Sequence, residues 1–406
     1  MIYCFPEKSK CFPLKNKCFF SDCEGYGMVI GLLGLGTVGG GVYNLVNGRT
    51  DMSIKYVCCL EKPEGLTAIL TSNFDDIVND PEVDTVVEVM GGLHPAREFA
   101  IKAMSAGKNY VTANKLLIAE CFQELTALAA EKGVALRCTA AAGGGIPWLT
   151  AIERCKRADT ITSISGIMNG TTNYIMDTMH RQSVSFSDVL GQAQQLGYAE
   201  ADPSADIDGK DIQNKCVISA NVAFDVLLQK KDVPVFGIRN VTAQDIADFK
   251  EHGFCCKLIA TAVRRSGKIA AFVEPTLVSG GRLEAAVPSN FNLITFNAEN
   301  AGRQSYFGQG AGRYPTAYNV VEDLIDVAGG VRSFYTSDFT AAEVDNEMVA
   351  HQYYVRFAGT DPWLEELITE KWDCGVITKP VSVAQMHAWA KTAEEQDSQM
   401  FLAAIK

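Results

Sequence analysis

The segment that most constrains this chain is Gly34-Leu35-Gly36-Thr37-Val38-Gly39. It follows a short apolar run, Val29 to Leu33, and leads into helix-like sequence in which Val42, Leu45 and Val46 share one face. A G-x-G-x-x-G run is informative only in that strand–turn–helix setting. There the first glycine makes a tight turn, the second lets the backbone approach a pyrophosphate, and the third allows close packing of helix on strand. The helix N-terminus then offers N–H groups and positive dipole to the phosphates. Gly34, Gly36 and Gly39, with Thr37 and Val38 between them, are therefore candidate dinucleotide contacts.

The sequence after this turn extends the same pattern. Ile54 to Leu60 reads as a second strand, Phe74 to Val78 as a helix fragment and Thr85 to Met90 as a buried parallel strand. Met90, Gly91 and Gly92 stand at that strand's carboxyl end, where ligands bind in such sheets. Pro95 to Ala106 reads as a helix closed by Gly107, and Asn109 to Thr112 as the next strand, with Thr112 and Asn114 at its end. Alternating strands and helices define an α/β fold, a Rossmann-type doubly wound parallel sheet, here assigned to residues 28–140. The acidic residue expected about 20 positions on, for the ribose hydroxyls, is Glu61, which favours NAD. Lys62 beside it suits a 2′-phosphate and favours NADP, so both cofactors stay open.

Composition narrows the class of partner. A length of 406 residues suits two or three domains, and a net charge of −12 argues against nucleic acid or an anionic membrane as the main partner. No apolar run reaches the roughly 18 residues of a membrane span. The 13 cysteines mostly sit in apolar contexts, such as Cys58-Cys59 and Cys216, and read as reduced thiols of a cytoplasmic enzyme. Residues 1–27 differ from the rest: Cys4, Cys11, Cys18 and Cys23 lack the C-x2-C spacing of a metal site, and there is no secretory apolar core. They read as a disordered or non-native extension, with Met28 as a natural start.

Two clusters carry candidate chemistry. Lys115 follows a strand end and so points into the cleft. The turn Leu196 to Pro203 holds Tyr198, Glu200 and Asp202, and Asp206, Asp208, Asp211 and Lys215 follow it. Asp208 is expected to N-cap a helix starting near Gly209, which puts Asp211 and Lys215 one turn apart on one face. The run does not match a calcium loop, since no Glu closes it. Asn169-Gly170-Thr171-Thr172-Asn173-Tyr174, after a β-type run from Ile161 to Ile167, can present backbone N–H groups and Thr171 to a small polar ligand. Gly143-Gly144-Gly145-Ile146-Pro147 and Gly308-Gln309-Gly310-Ala311-Gly312 suit close backbone contact.

In order and spacing, these segments resemble the homoserine dehydrogenase family over residues 28 to about 350, including Val111 to Lys115, Leu196 to Lys215 and Pro315-Thr316. The resemblance implies NAD(P)-dependent interconversion of L-aspartate 4-semialdehyde and L-homoserine, in threonine and methionine biosynthesis. It implies Lys115 and Lys215 as acid–base candidates and Gly170, Thr171, Tyr198, Glu200, Asp206 and Asp211 as substrate-site positions. Cofactor contacts are implied at the glycine turn, at Met90, Gly91 and Gly92, at Thr112 and Asn114, and at Gly312. An aldehyde oxygen gaining negative charge wants a proton or a cation nearby, and a lysine desolvated beside a second cation can supply the proton near neutral pH. Lys215 is assigned as proton donor, through Asp211 or a water, and Lys115 as the orienting group; the reverse assignment stays open. A different amino-acid aldehyde as substrate, or a catalytically inactive relative, are the rival readings.

The chain departs from the family pattern at three places. Thr139 stands where a glutamate commonly helps hold a monovalent cation with main-chain carbonyls, here those of Ala142 and Gly144. Cys58-Cys59 stands where a basic–acidic pair is common, which implies low selectivity between NAD and NADP. Residues 351–406 resemble a shortened ACT-like α/β segment: strand Tyr353 to Ala358, helix Pro362 to Lys371, strand Trp372 to Thr378 and helix Ser382 to Glu395. Trp363, where a glycine is usual, would block an effector, so packing or subunit contact is favoured over feedback. Residues 141–307 are read as an α+β substrate and dimerisation domain, and about 308–350 as completing the first domain. The family implies a homodimer or a higher homo-oligomer.

Overall fold

A computed structural model describes residues 27–59, 65–333 and 339–406. The readings made for residues 1–26, Leu60, Glu61 and Lys62 fall outside these. Six parallel strands form the first sheet: β1 (Met28–Leu33), β2 (Met52–Cys58), β3 (Ile69–Thr71), β4 (Thr85–Glu88), β5 (Asn109–Thr112) and β6 (Leu136–Arg137). Their order, β3-β2-β1-β4-β5-β6, reverses direction between β1 and β4 and opens a crevice at the strands' carboxyl ends. Helices α1 (Thr37–Val46), α2 (Asp75–Val78), α3 (Ala96–Ser105) and α4 (Lys115–Lys132) connect the strands. β4 is buried throughout: Val86 and Val87 face the two covered sides of the sheet, and Thr85 and Glu88 are buried at its ends.

The chain then builds α5 (Trp148–Lys156), β7 (Ile161–Ile167), α6 (Gly170–Gln182), α7 (Phe186–Gln195), α8 (Ser204–Ile207), α9 (Lys210–Phe224) and β8 (Val226–Leu227). After α10 (Ala243–Glu251) come the long hairpin β9 (Phe254–Arg265) and β10 (Lys268–Ser279), then β11 (Phe291–Ala298) and β12 (Gly302–Gln309). The second sheet runs β12-β11-β7-β9-β10 with every pair antiparallel. Residues beyond 308 divide between the two units. Helix α11 (Arg313–Ala328) returns to the first domain and lies along α1, so close that a Cβ on Gly41 would stand 2.8 Å from that of Ala317. Residues 340–350 instead pack on the second unit, where β13 (Thr340–Ala341) pairs with β8 and Val344 bridges to Ile269.

The carboxyl end extends the second sheet. Strand β14 (Ala350–Arg356), helix α12 (Pro362–Leu367), strands β15 (Ile368–Lys371), β16 (Val376–Thr378) and β17 (Val381–Ser382), helix α13 (Val383–Gln396) and strand β18 (Phe401–Ile405) follow. β18 pairs parallel to β10 and antiparallel to β14, so the sheet continues β10-β18-β14-β16-β15. The sequence reading is corrected here: the expected helix stops at Leu367 and turns into β15, and β18 was not anticipated. Asp361 caps α12 by accepting from the N–H groups of Trp363 and Leu364 at 2.9 and 3.0 Å. Trp363 stacks on Trp389 at 5.7 Å and is thereby committed to packing. Tyr354 Oη donates to the fully buried Asp245 at 2.6 Å, and Arg356 Nε does so at 2.8 Å, which ties β14 to α10. One continuous core spans both units; each fully buried large apolar side chain in it, such as Phe249 or Phe401, contributes about 2–3 kcal/mol.

Candidate active site

The crevice where the first sheet reverses is a cleft of about 540 Å3. Of the cofactor positions read from sequence, Gly36, Thr37, Val38, Met90, Gly91, Gly92, Asn114 and Gly312 line it. Gly34, Gly39 and Thr112 lie just behind the wall and shape it. Gly34 takes φ 92°, donates its N–H to Cys58 O at 2.9 Å, and lies so near Gly39 that a Cβ on Gly39 would stand 2.1 Å from Gly34 O. Only glycines permit that turn, and it leaves the first N–H groups of α1 facing the cleft. Glu88, unremarked in the sequence, sits fully buried at the end of β4. It accepts from Met90 N at 2.7 Å, Gly91 N at 3.2 Å and Thr112 Oγ1 at 2.8 Å, and so holds the turn that forms one wall. Asn114 extends that support, donating to Gly92 O at 2.6 Å and capping α4 through Leu117 N at 3.1 Å. Lys115 is the first residue of α4 and faces the cleft from this wall.

The opposite wall is the start of α9. Gly209 occupies the helix's N-cap position with φ 79°, so Asp208 does not cap it; instead Asp208 ends α8 and pairs with Arg239 at 2.8 and 2.9 Å. The left-handed backbone needed there selects glycine and displaces the aspartate one place. Asp211 and Lys215 do share one face of α9, at 2.8 Å. Lys115 Nζ reaches the other oxygen of the same carboxylate at 2.5 Å, so Asp211 bridges two ammonium groups from different domains. Lys215 also donates to Met168 O at 2.7 Å, which leaves its third N–H without a partner among the described residues, on a side chain that lines the cleft. Asn169, not singled out by itself in the sequence, donates to Asp211 Oδ2 at 2.8 Å and Asp206 Oδ1 at 2.7 Å while its own oxygen caps α6.

The electrostatics separate the two lysines. Lys215 is 8% exposed at its side chain; burial pushes its ammonium below the usual lysine range, and Lys115 adds to that although Asp211 opposes it. Lys115 stands deep in the concavity but 45% exposed to its solvent, and the Asp211 charge pushes it upward. Asp211 is held well below the usual carboxylate range because the two ammonium groups outweigh its burial. Burial raises Asp206, and the neighbouring Asp211 charge raises it further.

Among the other substrate positions, Glu200 lines the cleft. Thr171 donates to Tyr198 O at 2.5 Å and ties α6 to the turn bearing Glu200, and the Tyr198 ring packs edge-on to Tyr174 at 5.2 Å. Gly170 lies against Asn290 behind the wall. Of the two carbonyls expected to hold a cation, those of Ala142 and Gly144, Gly144 O already accepts an N–H from Asn319 at 2.5 Å. The Thr139 hydroxyl donates to Asp323 at 2.6 Å, and that carboxylate is itself paired with Arg137, so a cation finds a poor fit here. A larger concavity, about 710 Å3, lies in the carboxyl-terminal part near Trp372 and Cys374 and contains neither lysine.

A dinucleotide-type crevice faced by a buried lysine that shares a carboxylate with a second lysine fits the class of nicotinamide-dependent oxidoreductases. Comparison with known proteins specifies more. Residues 34–139 match the family model described as homoserine dehydrogenase, NAD binding domain, and residues 147–325 match that of homoserine dehydrogenase. The chain is 38% identical over 356 residues to homoserine dehydrogenase of Synechocystis sp., covering 84% of this chain and 81% of that one. It is 37% identical over 334 residues to the Bacillus subtilis enzyme, covering 79% and 77%. The crystal structure of a homoserine dehydrogenase from Thiobacillus denitrificans matches with a TM-score of 0.84 at 33% identity, over 94% of this chain and 98% of that one. The chain belongs to the homoserine dehydrogenase family, NAD(P)-dependent oxidoreductases that act on a CH–OH group.

Proposed function

We propose that the chain reduces L-aspartate 4-semialdehyde to L-homoserine with Lys215 as the proton donor. The observation that carries this assignment is the shared carboxylate: Asp211 holds both ammonium groups at one cleft while burial weakens the hold of Lys215 on its proton. Bound NAD(P)H supplies the hydride to the aldehyde carbon. As that carbon is reduced, its oxygen gains charge, and Lys215 stabilises it and gives up a proton. Asp211 keeps Lys215 in place and steadies the Lys115 charge. Lys115, higher in affinity for its proton and open to solvent, orients the substrate carboxylate, and Glu200 receives its ammonium. Asn169 spaces Asp206 from Asp211 so that the two carboxylates share one donor.

The assay is oxidation of NADH and of NADPH with aspartate semialdehyde and with its one-methylene-longer homologue. Preference for aspartate semialdehyde in kcat/KM by at least about tenfold is expected, the scale on which one methylene is read. Comparable turnover of the homologue would contradict the substrate assignment. With Cys58 ending β2 and Cys59 following it where a basic–acidic pair is common, both cofactors are expected to serve; exclusive use of one would contradict that part.

A homodimer or higher homo-oligomer in the cytoplasm completes the reading. The homo-oligomer is supported by β12, which among the described residues ends the second sheet and carries the 55% exposed Phe307 stacked on Phe291. Sedimentation as a monomer, unchanged by Phe307→Glu, would refute a contact there.

A further inference from the structure

We propose that Asn319 acts as a built-in substitute for a monovalent cation, so that this enzyme needs no such ion. The loop from Thr139 to Ile146 forms the floor of the cleft, with Ala140, Ala141 and Gly144 on its surface. Two carbonyls of this loop, Gly144 O and Ile146 O, converge on one atom, Asn319 Nδ2, at 2.5 and 3.0 Å. Converging carbonyl oxygens repel each other unless something positive stands between them. A primary amide meets that need with two hydrogens, one for each oxygen, and no net charge. Asn319 is 1% exposed, so its amide is a fixed part of the loop's packing; Ile146 O also accepts the Trp148 N–H at 2.7 Å, and Gly144 O takes the shorter of the two Asn319 bonds.

The charge balance around the loop agrees. Thr139 brings no carboxylate, and its N–H and hydroxyl both donate to Asp323, at 2.8 and 2.6 Å. Asp323 lies one turn after Asn319 on the same face of α11 and is itself paired with the buried Arg137 at 3.2 Å. The only acid in contact with Thr139 among the described hydrogen bonds is thus already committed to an arginine. Helix α11 also follows directly on the Gly310 to Gly312 segment, and Gly145 N donates to Gln309 O at 3.0 Å, so the floor, the hinge and the helix are fastened as one piece. Asn319 is therefore a positioning residue, and its effect on the reaction runs through the shape of the cleft floor.

The test compares the full-length chain in sodium, potassium and choline chloride at equal ionic strength, reading both kcat and the thermal midpoint. An ion that binds only the folded state would raise the midpoint. The wild type is expected to show the same midpoint and the same kcat, within about twofold, in all three salts. In Asn319→Asp an oxygen replaces the donor, so three oxygens face one point. This variant is expected to melt lower in choline chloride and to recover midpoint and kcat in sodium or potassium chloride. A wild type that melts higher or turns over several-fold faster in sodium or potassium chloride overturns the proposal, and so does a folded Asn319→Asp chain indifferent to the salt. Should that variant fail to fold, the wild-type comparison still decides. None of these readings depends on which lysine donates the proton.

Discussion

Lys215→Ala is expected to lower kcat by at least about a hundredfold, the usual contribution of a positioned general acid. Its fold should persist, because Asp211 keeps Lys115 as a partner and the rest of α9 stays packed. Lys115→Ala is expected to lose about as much, with a larger share in the KM for the aldehyde if its role is to orient substrate. The pH dependence of kcat separates the two. The limb belonging to the proton donor should vanish in Lys215→Ala and remain in Lys115→Ala. Near-normal turnover in either variant, measured by cofactor oxidation, would remove that lysine from the mechanism.

Asp211→Ala should harm the folded state as well as the reaction. Removing this carboxylate leaves Lys215 buried with, among the described residues, only Met168 O as hydrogen-bond partner, facing a second ammonium across the cleft. Stranding a buried charge in this way costs on the order of 3–5 kcal/mol. The Lys115 part is discounted, since that side chain is largely open to water. Urea unfolding should therefore show a lower midpoint with an unchanged slope, and kcat should fall together with stability. Asp211→Asn keeps the shape and a hydrogen bond and should be milder. A midpoint unchanged in Asp211→Ala would show that the lysines do not need their shared carboxylate.

Local pattern carried the first domain and half of the site. The strand–glycine–helix order placed the dinucleotide turn because Gly34 and Gly39 are close in sequence and their roles are steric. The Asp211–Lys215 pair was legible for the same reason, being one helical turn. The meeting of Lys115 with Asp211 spans 96 residues of sequence, and no spacing rule reaches that far. Likeness to a family put both residues at one site, but their direct pairing was not foreseen. Glu88, Asn169 and Asn319 act by accepting or donating to backbone brought near by folding, so a strand-end acid and two buried amides carried no distinguishing signal. Asp208 misled because an aspartate before a glycine is a common cap signal, whereas here the glycine itself takes the left-handed position. β18 was missed since Phe401 to Ile405 is short and apolar without alternation; its place between β10 and β14 is a long-range pairing.

The most direct test of this account is a crystal structure of the chain with homoserine and the oxidised cofactor. The account predicts the substrate hydroxyl within about 2.6–3.2 Å of Lys215 Nζ, on the cleft side of Asp211, with the amino group toward Glu200. A homoserine whose hydroxyl lies beyond the reach of Lys215, on Lys115 alone or on neither lysine, would contradict it.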